Sequence, residues 1–393
     1  MQGRLICTIF LLLSLHSGAI QAKANVSIDI AVGLENFDFQ PLFEEFSAQT
    51  GIKINILAFN NNQLKSELLQ YADAMQLPDA LIIPSDYMGL SELRFSAIPS
   101  SWLADKLTLR VKNTSKVGGV IKGIPLMYGN HLVLYYNRSL VPEPITDLQH
   151  YIQQGHFKAP ELGWNFYEMY WFITFVNALQ EEVILSDLPH LDTRAMRLAL
   201  SNYQLLLNSG IIDADCAYQC LMNRFKSAQL RYFVNGIWAY QQLKDTLKDN
   251  LAIASLPRWG GHQLISFASS HVLAFPANAV ESEKKPHLKL LVEFMQSQRV
   301  QDRLWDELKA LPTNSDSLDK LTKRKDIALI QLIASLNHTY PQPNEPIMAY
   351  IWEAILKGLT RYLGGVYSVE DTTEYMQFIV TKSQKNETKA QHR

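Results

Sequence analysis

Between Val26 and Ile83 the chain changes its hydrophobic period four times, and that alternation limits the folds open to it more than any other feature. Val26 to Val32 reads apolar, polar, apolar in strict turn, which is a strand with one face buried. Phe39 to Thr50 then sets Leu42, Phe43 and Phe46 at helical spacing, and Lys53 to Ala58 returns to strand composition. Asn62 to Met75 places Leu64, Leu68, Leu69 and Ala72 on one helical face, and Pro78 leads into the apolar run Ala80 to Ile83. Strands separated by helices imply a parallel sheet covered on its faces, so the fold class is α/β.

At 393 residues the chain exceeds what one hydrophobic core usually supports, so two lobes are expected. The helix-rich stretches Asp147 to Gln154, Asn165 to Leu179, Thr193 to Ser209 and Asp215 to Ala228 belong to a second lobe. Val117 to Val141 reads as a hairpin followed by a strand crossing into it. Residues 251–256 and 262–276 return to strand composition, a helix is expected from Pro286 to Leu308, and Leu311 to Asn314 makes a second crossing. Helical segments at 317–335, 346–363 and 368–382 follow, and the polar stretch 383–393 reads as a disordered tail.

The N-terminus departs from this pattern. Arg4 precedes the mainly apolar run Leu5 to Leu15, and Ala22-Lys23-Ala24 fits a small-residue cleavage site, so residues 1–24 read as a signal peptide of an exported, periplasmic protein. Their removal takes away Arg4 and Lys23 and moves the net charge from −2 to −4, which makes nucleic acid a poor partner. Cys216 and Cys220 remain. On a regular helix residues four apart hold their Cβ atoms too far apart for a disulfide, so a bond requires an irregular helix start at Asp215-Cys216. A metal site is not expected there, since no His or second Cys pair lies nearby.

Several residues combine an aromatic face or a carboxylate with a strand end or helix start. Leu230 to Val234 reads as a strand that ends in Asn235-Gly236 and delivers Trp238 to the next segment; crevices at strand ends are where α/β proteins bind ligands. Core packing is the competing reading of Trp238. Asp86 and Tyr87 follow the run Ala80 to Ile83 in the same way, with Asp86 also fit to cap a helix. Asn165 to Trp171 crowds Phe166, Tyr167, Tyr170 and Trp171 around Glu168, while Asn165 and Glu168 also match a capping box. Trp352 lies on a stripe with Met348, Ile351, Ile355, Leu359 and Tyr362, which fits a core position, and it also stands in the second turn near its helix start, where a large aromatic can be half-exposed to a cleft. No nucleophile elbow, phosphate loop, zinc pair or DxDxDG calcium loop occurs, His131, His262 and His271 are isolated, and no cofactor is expected.

Five stretches in this order resemble the maltose-binding type of extracellular solute-binding protein, the family-one receptors of ABC importers. They are Asp79 to Gly89 (DALIIPSDYMG), Ile124 to Leu140, Asn165 to Tyr170 (NxxExY), Asn235 to Tyr240 (NGxWAY) and Pro343 to Trp352 (PxxPxMxxxW). The resemblance implies a type II periplasmic-binding-protein fold, with two α/β lobes joined by crossing strands and closing on a sugar. Its boundaries would be 25–130 plus 270–315 for one lobe and 131–269 plus 316–382 for the other. By position, Trp238 and Trp352 match the sugar-stacking tryptophans, Glu168 and Tyr170 the cleft carboxylate and tyrosine, and Asp86 an acidic sugar ligand. Tyr167 is a further candidate ligand residue from the crowding of aromatics with polar handles at Asn165 to Trp171, apart from the resemblance. Tyr87 stands where maltodextrin receptors carry a base, Ile83 where they carry an aromatic, and Asn130 or Gly129 where they carry a cleft acid.

The expected function is therefore a monomeric periplasmic receptor that binds a sugar or oligosaccharide and passes it to an inner-membrane ABC permease. A co-receptor for a membrane sensor is the second reading. A carbohydrate-active enzyme, with Asp86 and Glu168 as its carboxylates, is the third.

Overall fold

The computed structural model describes residues 26–391 apart from 35–37, 58–63, 156 and 187; the expected signal peptide lies outside the described residues. Ser27–Val32 pairs in parallel with Lys53–Leu57 on one side and with Ala80–Pro84 on the other, as the alternation of strand and helix requires. The sheet is not parallel throughout. Ser266–Ala274 joins Ala80–Pro84 antiparallel and also pairs antiparallel with Gly123–Gly129. Its first three residues take Thr339–Pro341 as a parallel partner, which completes six strands. Ile28, Ile30, Phe43, Phe46, Ile82, Leu273 and Leu291 fill the core beneath it.

A second sheet of four strands is ordered Leu251–Ala254, Leu132–Asn137, Tyr232–Gly236, Leu162–Trp164. Its core is aromatic: Trp164, Phe166, Phe172, Phe175 and Tyr203 are all buried, with Phe166 stacked on Tyr203 at 4.3 Å between ring centroids. The chain passes between the sheets at Gly129–Asn130–His131. There Gly129 has φ +148°, its added Cβ would lie 2.4 Å from Ile237 Cδ1, and Asn130 has φ +50°. That left-handed step turns the strand Gly123–Gly129 into Leu132–Asn137. The expected hairpin is present as Lys116–Val117 paired with Val120–Ile121 across Gly118-Gly119, both at positive φ. A further crossing runs through Pro312, which bridges Met127, and Asn314, which bridges Leu107.

Four expectations need correction. The helix from Pro286 to Leu308 is two helices, Lys285–Gln296 and Gln298–Leu308, because Ser297 is extended and its side chain caps Val300 N–H. The segment 317–335 also divides, into Ser315–Thr322 and Ile327–Ser335, and the second begins where Asp326 caps Leu329 N–H. The last helix runs from Val369 to Gln391, so a disordered tail from Ser383 is not found: Lys, Gln, Glu and Ala are good helix formers and extend a helix already docked. The capping box at Asn165 is not formed either. Glu168 is itself the N-cap of Met169–Ala178, without a side-chain cap bond, and its N–H closes a turn onto Asn165 O at 3.2 Å.

Candidate functional site

Two parallel strands of the first sheet end at the same edge, and the chain beyond Ala80–Pro84 coils into a short 3-10 turn, Ser85–Gly89. Pro84 occupies the N-cap of that turn, so Asp86 is not the cap of a following helix; it lies within the turn and faces a cavity. The turn is held against the crossing segment beyond Thr339–Pro341. Ser85 Oγ donates to Asn344 Oδ1 at 3.0 Å, and Asn344 Nδ2 donates to Thr114 O at 2.9 Å. A Cβ on Gly89 would come within 2.6 Å of Asn344 O, so the approach requires glycine.

The opposing wall starts the helix Met169–Ala178. Tyr170 presents its ring to the cavity, and its hydroxyl donates toward Asn130 O at 2.5 Å and Phe267 O at 3.0 Å. One side chain of the second sheet's helix thus grips the backbone of two strands that run between the sheets. Burial pushes the Tyr170 phenol pKa up, which keeps the hydroxyl a donor. Trp352 is half-buried rather than in the core, because its ring leaves the stripe of buried Met348, Ile351, Ile355 and Leu359 to meet Tyr170 at 6.3 Å and Phe267 at 6.1 Å.

Asp86, Tyr87, Asn130, Glu168, Tyr170 and Trp352 all line one cavity of about 270 Å³ between the two sheets. An adjoining cavity of about 230 Å³ shares Asp86, Tyr87 and Trp352 and adds Glu345. Two predicted residues stand apart. Tyr167 is 44% exposed, lies edge-on to Phe166 and lines neither cavity. Trp238 also lines neither, yet at 45% exposure it is not a core residue. Its ring meets buried Trp171 edge-on at 6.3 Å, and Trp171 meets Tyr170 at 6.4 Å, so an aromatic track runs from Trp238 to Trp352.

Cys216 and Cys220 are bonded, with 5.3 Å between their Cα atoms. The irregular start that such a bond requires is present: the helix begins at Tyr218, leaving Cys216 outside it. Gln342 and Met169 line the main cavity and Tyr218 supports Trp238, and none of the three carries a motif in the sequence. The proline on either side of Gln342 was the available signal, since Pro-Gln-Pro cannot enter a helix and holds the backbone extended across the cleft. A larger cavity of about 850 Å³ holds none of the predicted residues; Asn177, Glu181, Lys116 and Phe267 are among its walls, and Gln342 borders it too. Among the described residues, no group of three or more His, Cys, Asp or Glu is placed to hold a metal ion.

The model of the family described as bacterial extracellular solute-binding protein matches residues 41–329, well over half of the chain. The chain belongs to that family. No curated protein matches this solute-binding protein in sequence. Its solved structural relatives include the maltose/maltodextrin-binding domain of Bdellovibrio bacteriovorus bound to maltotriose, at 19% identity and TM-score 0.74, covering 92% of this chain and 100% of that one. The maltose-maltodextrin binding protein of Alicyclobacillus acidocaldarius aligns at 16% identity and TM-score 0.76, over 90% of this chain and 100% of its own. A cyclo/maltodextrin-binding protein complexed with maltotetraose aligns at 16% identity and TM-score 0.77, over 91% and 97%. At such identities the likeness establishes the two-lobe fold of this solute-binding protein.

Proposed function

We propose that this solute-binding protein is a periplasmic receptor of an ABC importer that takes a sugar or oligosaccharide between its lobes. The lobes would comprise 25–130 with 270–315 and 131–269 with 316–382, and an inner-membrane permease would receive the ligand. The observation that carries the reading is the cavity between the sheets, where the half-buried Trp352 ring meets Asp86, Glu168 and Asn130. An aromatic face covers the C–H face of a sugar, while carboxylates and amides bond its hydroxyls. Closure would swing the lobes about Asn130 and the other crossings, and a ligand stabilises the closed form only through contacts it makes there and not in the open one.

A panel of maltodextrins, other oligosaccharides, sugar phosphates and polyamines, read by thermal shift and tryptophan fluorescence, tests the proposal. At least one saccharide should raise the melting temperature and return unchanged after release. No saccharide response would remove the sugar reading, and recovery of a cleaved product would replace receptor with enzyme. Uptake assays in cells with and without the protein test the importer half of the proposal.

A further inference from the structure

A separate pocket of about 170 Å³ lies beside the aromatic core of the second sheet and shares no residue with the cleft cavities. The helix Met169–Ala178 sets Met169 and Tyr170 on the cleft at one end and Phe175 and Ala178 on this pocket at the other. Its walls are mostly apolar, with Phe175, Ala178 and Leu264 buried and Leu198 half-exposed. A cavity of about 150 Å³ lined by Leu, Ile and Phe binds benzene, so this one is the size of a six-membered ring. No Lys, Arg, Asp or Glu lines it, and nothing there offsets the desolvation of a charged ligand. Trp259 is also on the wall, 5% exposed and edge-on to Phe175 at 5.2 Å, and its indole N–H has no acceptor among the described residues. A buried donor left unmade costs about 1 to 3 kcal/mol. That hydrogen is shut off from bulk water, so its acceptor has to come from a molecule lodged against the ring. Gln149 and Asn202 add half-buried side-chain amides to the same wall, and Gln149 Oε1 reaches over Gly260, where a Cβ would lie 2.4 Å from it.

We propose that this pocket is a second ligand site, taking a neutral molecule with one six-membered ring and an oxygen acceptor, of the phenol class. The ring packs against Phe175, Leu198 and Leu264, the Trp259 indole donates to the oxygen, and the ligand's own hydroxyl donates to the amide oxygen of Gln149 or Asn202. A pyranose does not fit this chemistry, because it carries hydroxyls around its whole edge and the apolar walls would leave most of them unpaired. The site is independent of the cleft and stands whether or not the cleft takes a sugar.

The indole N–H resonances of the isotope-labelled protein read the site directly, with the signal lost in Trp259→Phe assigned to Trp259. Titration with p-cresol should move that signal saturably to lower field, as a hydrogen bond to the indole requires. Toluene fills the same space without an acceptor, so it should need about tenfold more ligand for half-saturation, and glucose should leave the signal in place. Trp259→Phe keeps an aromatic ring, and by titration calorimetry it should bind p-cresol no more tightly than toluene. Leu198 is 46% exposed, so Leu198→Trp should fold as wild type does while filling the pocket from its open side and abolishing the p-cresol response; it keeps the test open if Trp259→Phe does not fold. An unmoved Trp259 signal up to the solubility limit of p-cresol overturns the proposal. So does equal binding of toluene and p-cresol, or wild-type affinity for p-cresol in either variant.

Discussion

The Trp238 indole donates its Nε1 hydrogen to the Tyr218 hydroxyl at 3.0 Å, and Tyr218 lies inside the short loop closed by the Cys216–Cys220 disulfide. An exposed tryptophan is thus oriented by a tyrosine whose backbone is cross-linked. In the chain-entropy model a loop this short contributes about 2 kcal/mol. Replacing both cysteines by serine should lower unfolding free energy by about that amount in a denaturant titration. The same variant should loosen Trp238, seen as a lower fluorescence anisotropy on excitation at the red edge. Tyr218→Phe keeps the cross-link, and should leave stability within about 0.5 kcal/mol while still releasing the indole.

If the aromatic track carries the ligand, Trp238→Ala and Trp352→Ala should each weaken binding by about tenfold, or roughly 1.4 kcal/mol. Their stability costs should differ. Trp238 is 45% exposed, so its truncation removes little packing, whereas Trp352 is half-buried between Tyr170 and Phe267. Circular dichroism melts alongside the affinities separate the two effects, and wild-type binding by both folded variants would displace the ligand from this track.

The hydrophobic period made the first sheet legible from Ser27 to Pro84, because a half-buried strand and an amphipathic helix each impose a spacing on their own residues. It could not show where the two sheets converge. Trp352 shares a helical stripe with Ile351 and Ile355, and only the approach of Tyr170 from the other sheet separates a cleft ring from a core ring. Asn165 and Glu168 have the spacing of a capping box, yet the same spacing serves a turn before the helix, and the choice depends on tertiary packing of Phe166 and Trp171. Gln342 has no periodic neighbour at all, so its place on the cleft wall followed only once the strand Thr339–Pro341 had a partner.

Tyr170→Phe removes the one side-chain hydroxyl that reaches both Asn130 O and Phe267 O. Phe267 O keeps the Ser266 Oγ donor at 2.8 Å, so the loss falls on Asn130 O. A buried carbonyl without its donor costs about 1 to 3 kcal/mol, and urea unfolding should report a loss at the lower end of that range. The ring remains to line the cavity, and any ligand effect therefore passes through the backbone of Asn130 and Phe267 and not through lost contact area. An unchanged unfolding midpoint would mean that water replaces the hydroxyl at no cost and that Tyr170 is not a clamp.

His131 gives the pH dependence a sign. Its side chain is fully buried where the chain passes between the sheets, Nε2 lies 2.7 Å from Ser335 Oγ, and burial holds its pKa down at about 3. An unfolded histidine takes up its proton near pH 6.5, so between about 6.5 and 3 the unfolded chain binds a proton that the native protein refuses. Stability is full above that window and falls as the pH drops through it, with a slope approaching about 1.4 kcal/mol per pH unit from this group. His271, also held down, at about 4, adds to the same trend. His131→Asn should remove one share of the slope while leaving the share from His271. Denaturant midpoints measured from pH 7 to pH 4 should therefore converge for the two proteins on acidification, and parallel curves would mean that His131 is protonated in the native state.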